Sequence, residues 1–392
     1  MAVAEALVEI FPMQQHAPQV VEKFLLSNKK WGARDRHFIA EHIYESVRYY
    51  RLLCFATMVE KIETLADAWR LLAVLFIQKE IELTDWDEWK DIDAQVVKAL
   101  LQKASAERKI RESIPDWLDQ MGAAQMGETW ETELHALNQP AKICLRVNPL
   151  RATKEKVKRS LEAEHIEFSE VNFAPDALVL SGRKNIRTLD MYREGEVEIQ
   201  DVSSQLIAPM LRVERGMNVI DACAGAGGKS LHIAALMRNE GAIHAFDIHH
   251  NKLEELLKRS RRAGVSIITT HLPHPDFLKT MGNAADRILI DAPCSGLGTL
   301  RRNPGAKWKL TPDFVSDMQH AQQKILNQYA PLLKLNGILV YATCSILPIE
   351  NEQQIELFLK KNAVFKKIEE KKILSCESGF DGFYGCALQR VS

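Results

Sequence analysis

Nowhere in these 392 residues is there an apolar run able to cross a bilayer. The longest, Leu71 to Ile77, has seven residues, against the roughly 20 that a membrane helix needs. Basic residues are absent from the first 22 positions, Lys23 being the first. A secretory leader with its charged start is therefore not expected, and the expected location is cytoplasmic with no membrane partner. Seven cysteines stand at 54, 144, 223, 294, 344, 376 and 386, and no two form a C-x-x-C pair. That argues against a zinc site and for reduced thiols, so no metal is expected. Low-complexity tracts are lacking too. Glycine is scarce at first, with only Gly32, Gly122 and Gly127 before residue 140.

An excess of charge of either sign is also missing, the net charge being −1. The average hides an asymmetry. Residues 1–140 carry 16 Lys and Arg against 23 Asp and Glu, whereas residues 141–392 carry 35 against 29. The later basic residues cluster as Lys154, Lys156, Lys158 and Arg159, as Lys258, Arg259, Arg261 and Arg262, and as Arg301, Arg302, Lys307 and Lys309. Such clusters neutralise phosphates or form solvated helix faces. The third stands apart because Trp308 lies between its lysines.

The chain has room for two or three domains. Residues 1–139 read as helical, with apolar residues spaced by three and four through 20–26, 38–50, 65–77 and 96–101. From 140 to 212 the texture is that of a small α+β unit: a strand over 143–147, a basic amphipathic helix over 153–163, strands over 177–180 and 197–199, and a helix over 203–211. From 213 to 392 strands and helices alternate, which predicts an α/β, Rossmann-like, doubly wound sheet. Strands are expected at 218–221, 242–247, 266–269, 287–291 and 337–343, helices near 230–237, 252–263, 312–333 and 350–359, and a closing hairpin near 379–390.

The first of these strands runs into Asp221-Ala-Cys-Ala-Gly-Ala-Gly-Gly-Lys-Ser. A glycine-rich turn between a strand and a helix brings backbone N–H groups close to a ligand. A phosphate-binding P-loop needs glycine where Cys223 stands, although Gly228-Lys229-Ser230 fits it. A dinucleotide fingerprint would place its third glycine at Ser230. A third reading is the nucleotide turn of an S-adenosylmethionine methyltransferase, formed by Cys223, Ala224, Gly225, Ala226, Gly227, Gly228 and Lys229. Asp247 favours that reading, because it ends the second strand where a carboxylate can accept hydrogen bonds from ribose hydroxyls; its alternative role is a helix cap.

Two cysteines end strand-like runs in near-identical settings: Asp291-Ala-Pro-Cys294-Ser-Gly and Thr343-Cys344-Ser345. Strand ends are where open α/β sheets place their chemistry. The spacing does not say which thiol attacks.

These residues, with Arg301-Arg302-x-Pro and Trp308, Glu350-Asn351-Glu352, Arg146-Val-Asn-Pro, Gln200-Asp201-x-Ser-Ser-Gln and Asp381-Gly-Phe-Tyr, resemble the RsmB/Sun-type RNA 5-methylcytosine methyltransferases. The resemblance covers about residues 142–392. The helical region around 36–53 resembles a NusB-like domain. The resemblance implies S-adenosyl-L-methionine as cofactor and a cytosine in RNA as substrate. It implies Cys344 as nucleophile at carbon 6, Cys294 as the thiol that assists release, and Asp291 holding a proton against ring nitrogen 3. Lys229 is a candidate to favour the thiolate. Arg301 and Arg302 are expected on phosphate and Trp308 near the base.

The family's Ala-Pro in the turn is Gly225-Ala226 here, and its acid after Arg-Arg-x-Pro is Gly305. Asp276 is the expected third-strand acid against adenine. Ribosomal RNA is the expected target, with transfer RNA as the alternative. A P-loop NTPase and a non-catalytic RNA-binding assembly factor are the competing classes.

Overall fold

The computed structural model describes residues 1–182, 184–274 and 282–392. The expected adenine-contacting acid, Asp276, lies outside them. The chain divides into two compact units. One comprises Met1–Gln139 with Leu300–Leu310, the other Pro140–Thr299 with Thr311–Ser392.

The first unit is helical, as the apolar spacing predicts. Its central helix, Leu65–Gln78, is buried over almost its whole second half, Leu71 to Ile77. That explains why the longest apolar run lies here: a helix surrounded by others has no polar face. Thr64 starts it by accepting a hydrogen bond from the Asp67 N–H at 3.2 Å, while the Asp67 carboxylate accepts from the Thr64 N–H at 2.9 Å. This reciprocal cap satisfies two N–H groups that the helix itself cannot.

The second unit holds two sheets. The smaller has strands β1 (Ile143–Val147), β2 (Phe168–Glu170), β3 (Ala177–Leu180) and β4 (Val197–Ile199), in the order β2-β3-β1-β4 and antiparallel throughout. Helix Lys154–Ala163 buries Val157 and Leu161 and leaves its lysines outward. The expected helix over 203–211 is instead a short turn of helix, Val202–Gln205, and a 3-10 turn, Ala208–Leu211, interrupted before Pro209.

The larger sheet contains β5 (Asn218–Asp221), β6 (Ala242–Phe246), β7 (Ile268–His271), β8 (Ala285–Asp291), β9 (Leu333–Thr343), β10 (Phe365–Ile373) and β11 (Phe383–Arg390). Their order is β10-β11-β9-β8-β5-β6-β7, with β5 to β9 parallel and β11 and β10 antiparallel at one edge. The doubly wound α/β fold expected from alternation is therefore present. Helices Gly228–Leu236, His250–Ala263, Pro312–Tyr329 and Glu352–Lys361 connect or flank the strands. Val219, Ile220, Leu289, Ile290, Leu339 and Val340 are fully buried, so the central strands contribute apolar side chains to both faces. Strand order reverses between β5 and β8, and the carboxyl ends there form the crevice in which such sheets bind ligands.

The closing hairpin differs from expectation. It pairs β10 with β11, starting at Phe365 and not near residue 379. Its first strand, FKKIEEKKI, is an edge strand whose charges face solvent and whose pattern lacks a buried alternation.

Candidate active site

The turn after β5 is built by two glycines with left-handed backbone, Gly225 (φ +55°) and Gly227 (φ +85°). A Cβ on Gly227 would come within 2.5 Å of the Leu256 side chain, so the residue is fixed by packing as well as by conformation. The Gly225 N–H donates to Asp247 Oδ2 at 2.9 Å, and the His249 N–H donates to Oδ1 at 2.8 Å. Both oxygens keep lone pairs for further donors. Asp247 thus ties the end of β6 to the glycine loop; it does not cap helix His250–Ala263, which begins at His249 without a side-chain cap. Helix Gly228–Leu236 begins without a side-chain cap, leaving its first N–H groups for a ligand. A Cβ at Gly225 or Gly228 would meet nothing within 4 Å. Open space, an uncapped helix start and a paired carboxylate fit an adenosine cofactor carrying a carboxylate of its own.

The same loop does not fit a P-loop. Ser230 donates its hydroxyl to Asp221 Oδ2 at 2.6 Å, and Lys229 Nζ lies 2.6 Å from Asp291 Oδ2. The two side chains that a P-loop gives to phosphate and magnesium are both held by carboxylates. Asp221 is fully buried, and burial pushes its carboxyl up to about 7.

Lys229, considered above as a cation for the thiolate, stands on the helix after β5 and pairs with Asp291 at the end of β8. Its ammonium also lies 4.7 Å from the centre of the Phe383 ring. The two strand-end thiols meet: Cys294 Sγ is 3.4 Å from Cys344 Sγ. Both are partly exposed. The Cys294 thiol is pushed well up by the neighbouring Cys344, then by burial, with the Glu350 carboxylate adding to both. Burial likewise pushes Cys54 and Cys386 up to about 12 and raises Cys223 further, which keeps these three as thiols.

The loops carrying the thiols are tied by a residue that the motif contains but the sequence reading gave no role. Glu350 is fully buried. Its Oε1 accepts the Ser295 N–H at 2.7 Å, and its Oε2 accepts the hydroxyls of Ser295 and Ser345. Tyr341 donates its hydroxyl to the Glu350 carbonyl at 2.6 Å. Gly298 completes the arrangement by donating its N–H to the Cys344 carbonyl at 2.9 Å; a Cβ there would stand 2.0 Å from the Gly382 carbonyl oxygen.

Much of the basic surface that the sequence left open between phosphate binding and solvated helix faces is paired internally. Lys154 and Lys158 bond Glu170 at 2.8 and 2.6 Å, and Lys156 bonds Glu196. Arg259 and Arg262 share the buried Glu198, at 2.8 and 2.5 Å. In the third cluster, Lys307 is buried with its ammonium 3.2 Å from Asn138 Oδ1, and Lys309 donates to the Gln14 carbonyl at 2.8 Å. Trp308 donates its indole N–H to the Val47 carbonyl at 2.7 Å and meets Tyr50 edge-on, ring centres 5.5 Å apart. Arg301 is buried, with Arg48 donating to its carbonyl at 3.1 Å. Arg301 and Trp308 therefore pack within the helical unit, and Arg302 beside them is half-buried.

Comparison with known proteins places these observations in a family. A family model described as 16S rRNA methyltransferase RsmB/F matches residues 208–381, and one described as an RsmF/B-like ferredoxin-like domain matches residues 114–187. The chain is 38% identical over 253 residues to a probable ribosomal RNA small subunit methyltransferase B of Synechocystis, covering 63% of this chain and 56% of that one. It is 30% identical over 314 residues to the ribosomal RNA small subunit methyltransferase B of Pseudomonas syringae, covering 75% and 69%. The chain thus matches between just over half and about two thirds of the length of these relatives. The crystal structure of PH0851 superposes with a TM-score of 0.83 at 23% identity, over 99% of this chain and 98% of that one, which shows a shared fold.

Proposed function

The chain belongs to the RsmB/F family of 16S rRNA methyltransferases, and from that premise we propose that it methylates carbon 5 of a cytosine in ribosomal RNA. The observation that carries this reading is the Cys294–Cys344 pair at 3.4 Å beside the Lys229–Asp291 pair. Carbon 5 of cytosine is a poor nucleophile until a thiolate adds at carbon 6. A nucleophilic thiol and a proton-holding acid are the groups that this chemistry requires, and a methyltransferase acting on oxygen or on an exocyclic nitrogen forms no thiol adduct.

The cofactor of this reading is S-adenosylmethionine, held by the turn 223–229 and by Asp247; bound, it supplies an electrophilic methyl group. The chain's own residues do the rest. The target base is unstacked and enters the crevice at the carboxyl ends of β5, β8 and β9. The Cys344 thiolate adds to carbon 6, and the electron pair moves toward ring nitrogen 3, where Asp291 and Lys229 hold a proton. Carbon 5, now enamine-like, takes the methyl group. Its own proton then leaves to solvent, the freed electron pair re-forms the carbon 5–carbon 6 double bond as the carbon–sulfur bond breaks, the Cys344 thiolate departs, and the proton at ring nitrogen 3 returns to Asp291. Cys294, kept as a thiol, donates a hydrogen bond to the departing sulfur and stabilises it.

Bisulfite sequencing of total RNA from a deletion strain tests the reading. Loss of one 5-methylcytosine in small-subunit ribosomal RNA is the expected result. Loss of a mark in transfer RNA instead would move the substrate, and an unchanged set of 5-methylcytosines would overturn the proposal.

A further inference from the structure

We propose that Glu350 is a positioning residue that assigns the two thiols their roles, its one buried side chain tying together the two loops that carry them. The inference rests on the proposed chemistry above, and concerns what breaks the symmetry between two cysteines in similar settings.

The geometry is specific. Each cysteine is followed by a serine, and Ser295 and Ser345 both donate their hydroxyls to the same oxygen of Glu350. The other oxygen accepts the Ser295 N–H at 2.7 Å and lies 3.4 Å from the Gln322 amide. One side chain thereby joins two loops that are 50 positions apart. The carboxylate is fully buried, so its field is weakly screened. Its contacts with the two loops are unequal: on the Cys294 side it takes both the N–H and the hydroxyl of Ser295, on the Cys344 side the Ser345 hydroxyl. The groups facing the Cys294 sulfur are Cys344, Glu350, Tyr341 and the Gly296 N–H. Of these, Cys344 and then Glu350 oppose ionisation of Cys294. Cys344 is left as the thiol free to attack. Serine hydroxyls can rotate to accept as well as donate, so an amide fits the same place.

The test is differential alkylation of the full chain, without RNA or cofactor, across pH 6 to 10, reading each cysteine by peptide mass spectrometry. In the native chain Cys344 is expected to label first. In Glu350→Gln the Cys294 profile is expected to move to lower pH, and the preference for Cys344 to fall about tenfold, the change that one pKa unit produces. Glu350→Asp keeps the charge and shortens the reach. It is expected to leave the Cys294 profile in place while lowering kcat for methyl transfer, and this variant serves if the glutamine variant does not fold. Ser345→Ala loosens one loop without removing charge, and is expected to lower kcat with the Cys294 profile unmoved. A Cys294 profile unchanged by Glu350→Gln, or shifted equally by Ser345→Ala, would overturn the proposal. Because the labelling uses no substrate, its failure is distinguishable from failure of the cytosine reading.

Discussion

Cys294 and Cys344 bring their sulfurs within 3.4 Å from the ends of two neighbouring parallel strands. At that distance the Cys294 thiol can reach the Cys344 sulfur, and the roles proposed for them separate by consequence of removal. Cys344→Ala is expected to abolish methyl transfer and adduct formation together. Cys294→Ala is expected to form the adduct and fail to release it, giving a slow protein–RNA band on a denaturing gel. The opposite pattern would exchange the two roles.

Asp247 holds the glycine turn, and in the proposed reading it also holds the cofactor. Removing a charged acceptor costs about 1.5–3 kcal/mol for a hydrogen bond to a charged group. Asp247→Ala is therefore expected to weaken S-adenosylmethionine binding by about 10- to 100-fold in calorimetry, with RNA affinity in a filter-binding assay unchanged. Equal loss of both affinities would mean that the substitution has disordered the turn and not removed a ligand contact.

The legible parts of this protein were those set by local pattern. Strand Asn218–Asp221 stood out because an apolar run meets a glycine turn, and Asp247 because it ends the next strand. The cysteines were visible for the same reason. The order of their roles was not, since their settings are near-identical in sequence, and Glu350, which ties the two loops, has partners Ser295 and Gln322 that lie 55 and 28 positions away. Strand β10 escaped because an edge strand with six lysines and glutamates among its nine residues needs no buried face. The basic clusters misled in a different way. Lys154 and Lys158 look unpaired in sequence, and Arg259 with Arg262 look like a solvated face, yet their carboxylate partners Glu170 and Glu198 come from other elements of the fold. Counting charges along a chain cannot see pairs made across it.

Lys307 gives the helical unit a dependence on pH. Burial, with Arg48 nearby, lowers its ammonium to about 7 from an ordinary 10.5, Glu112 offsetting only part. Between those values the unfolded chain holds the proton and the folded chain does not. Stability therefore rises with pH from about 7 to about 10.5 through this group, and its charged form is a cost below 7. Lys307→Met, similar in length and apolar, is expected to remove that slope and to gain most against the native chain at pH 6. Denaturation midpoints for both proteins at pH 6, 8 and 10 check this, and parallel curves would show that Lys307 does not supply the slope.

Trp308 separates a structural role from an RNA-stacking one. Its indole N–H is used by the Val47 carbonyl at 2.7 Å and its ring packs edge-on against Tyr50. Truncating a tryptophan that is only partly buried is expected to cost about 2–4 kcal/mol, below the usual range for a fully buried one. Trp308→Phe keeps a ring and gives up the hydrogen bond, for about 1 kcal/mol. Thermal unfolding should then rank the native chain above Trp308→Phe and that above Trp308→Ala. A base-stacking tryptophan would behave differently: phenylalanine would preserve RNA affinity, alanine would lose it, and neither would move the unfolding temperature. RNA affinity measured on the folded fraction of all three proteins decides between the two roles, and the packing seen here predicts that it stays the same.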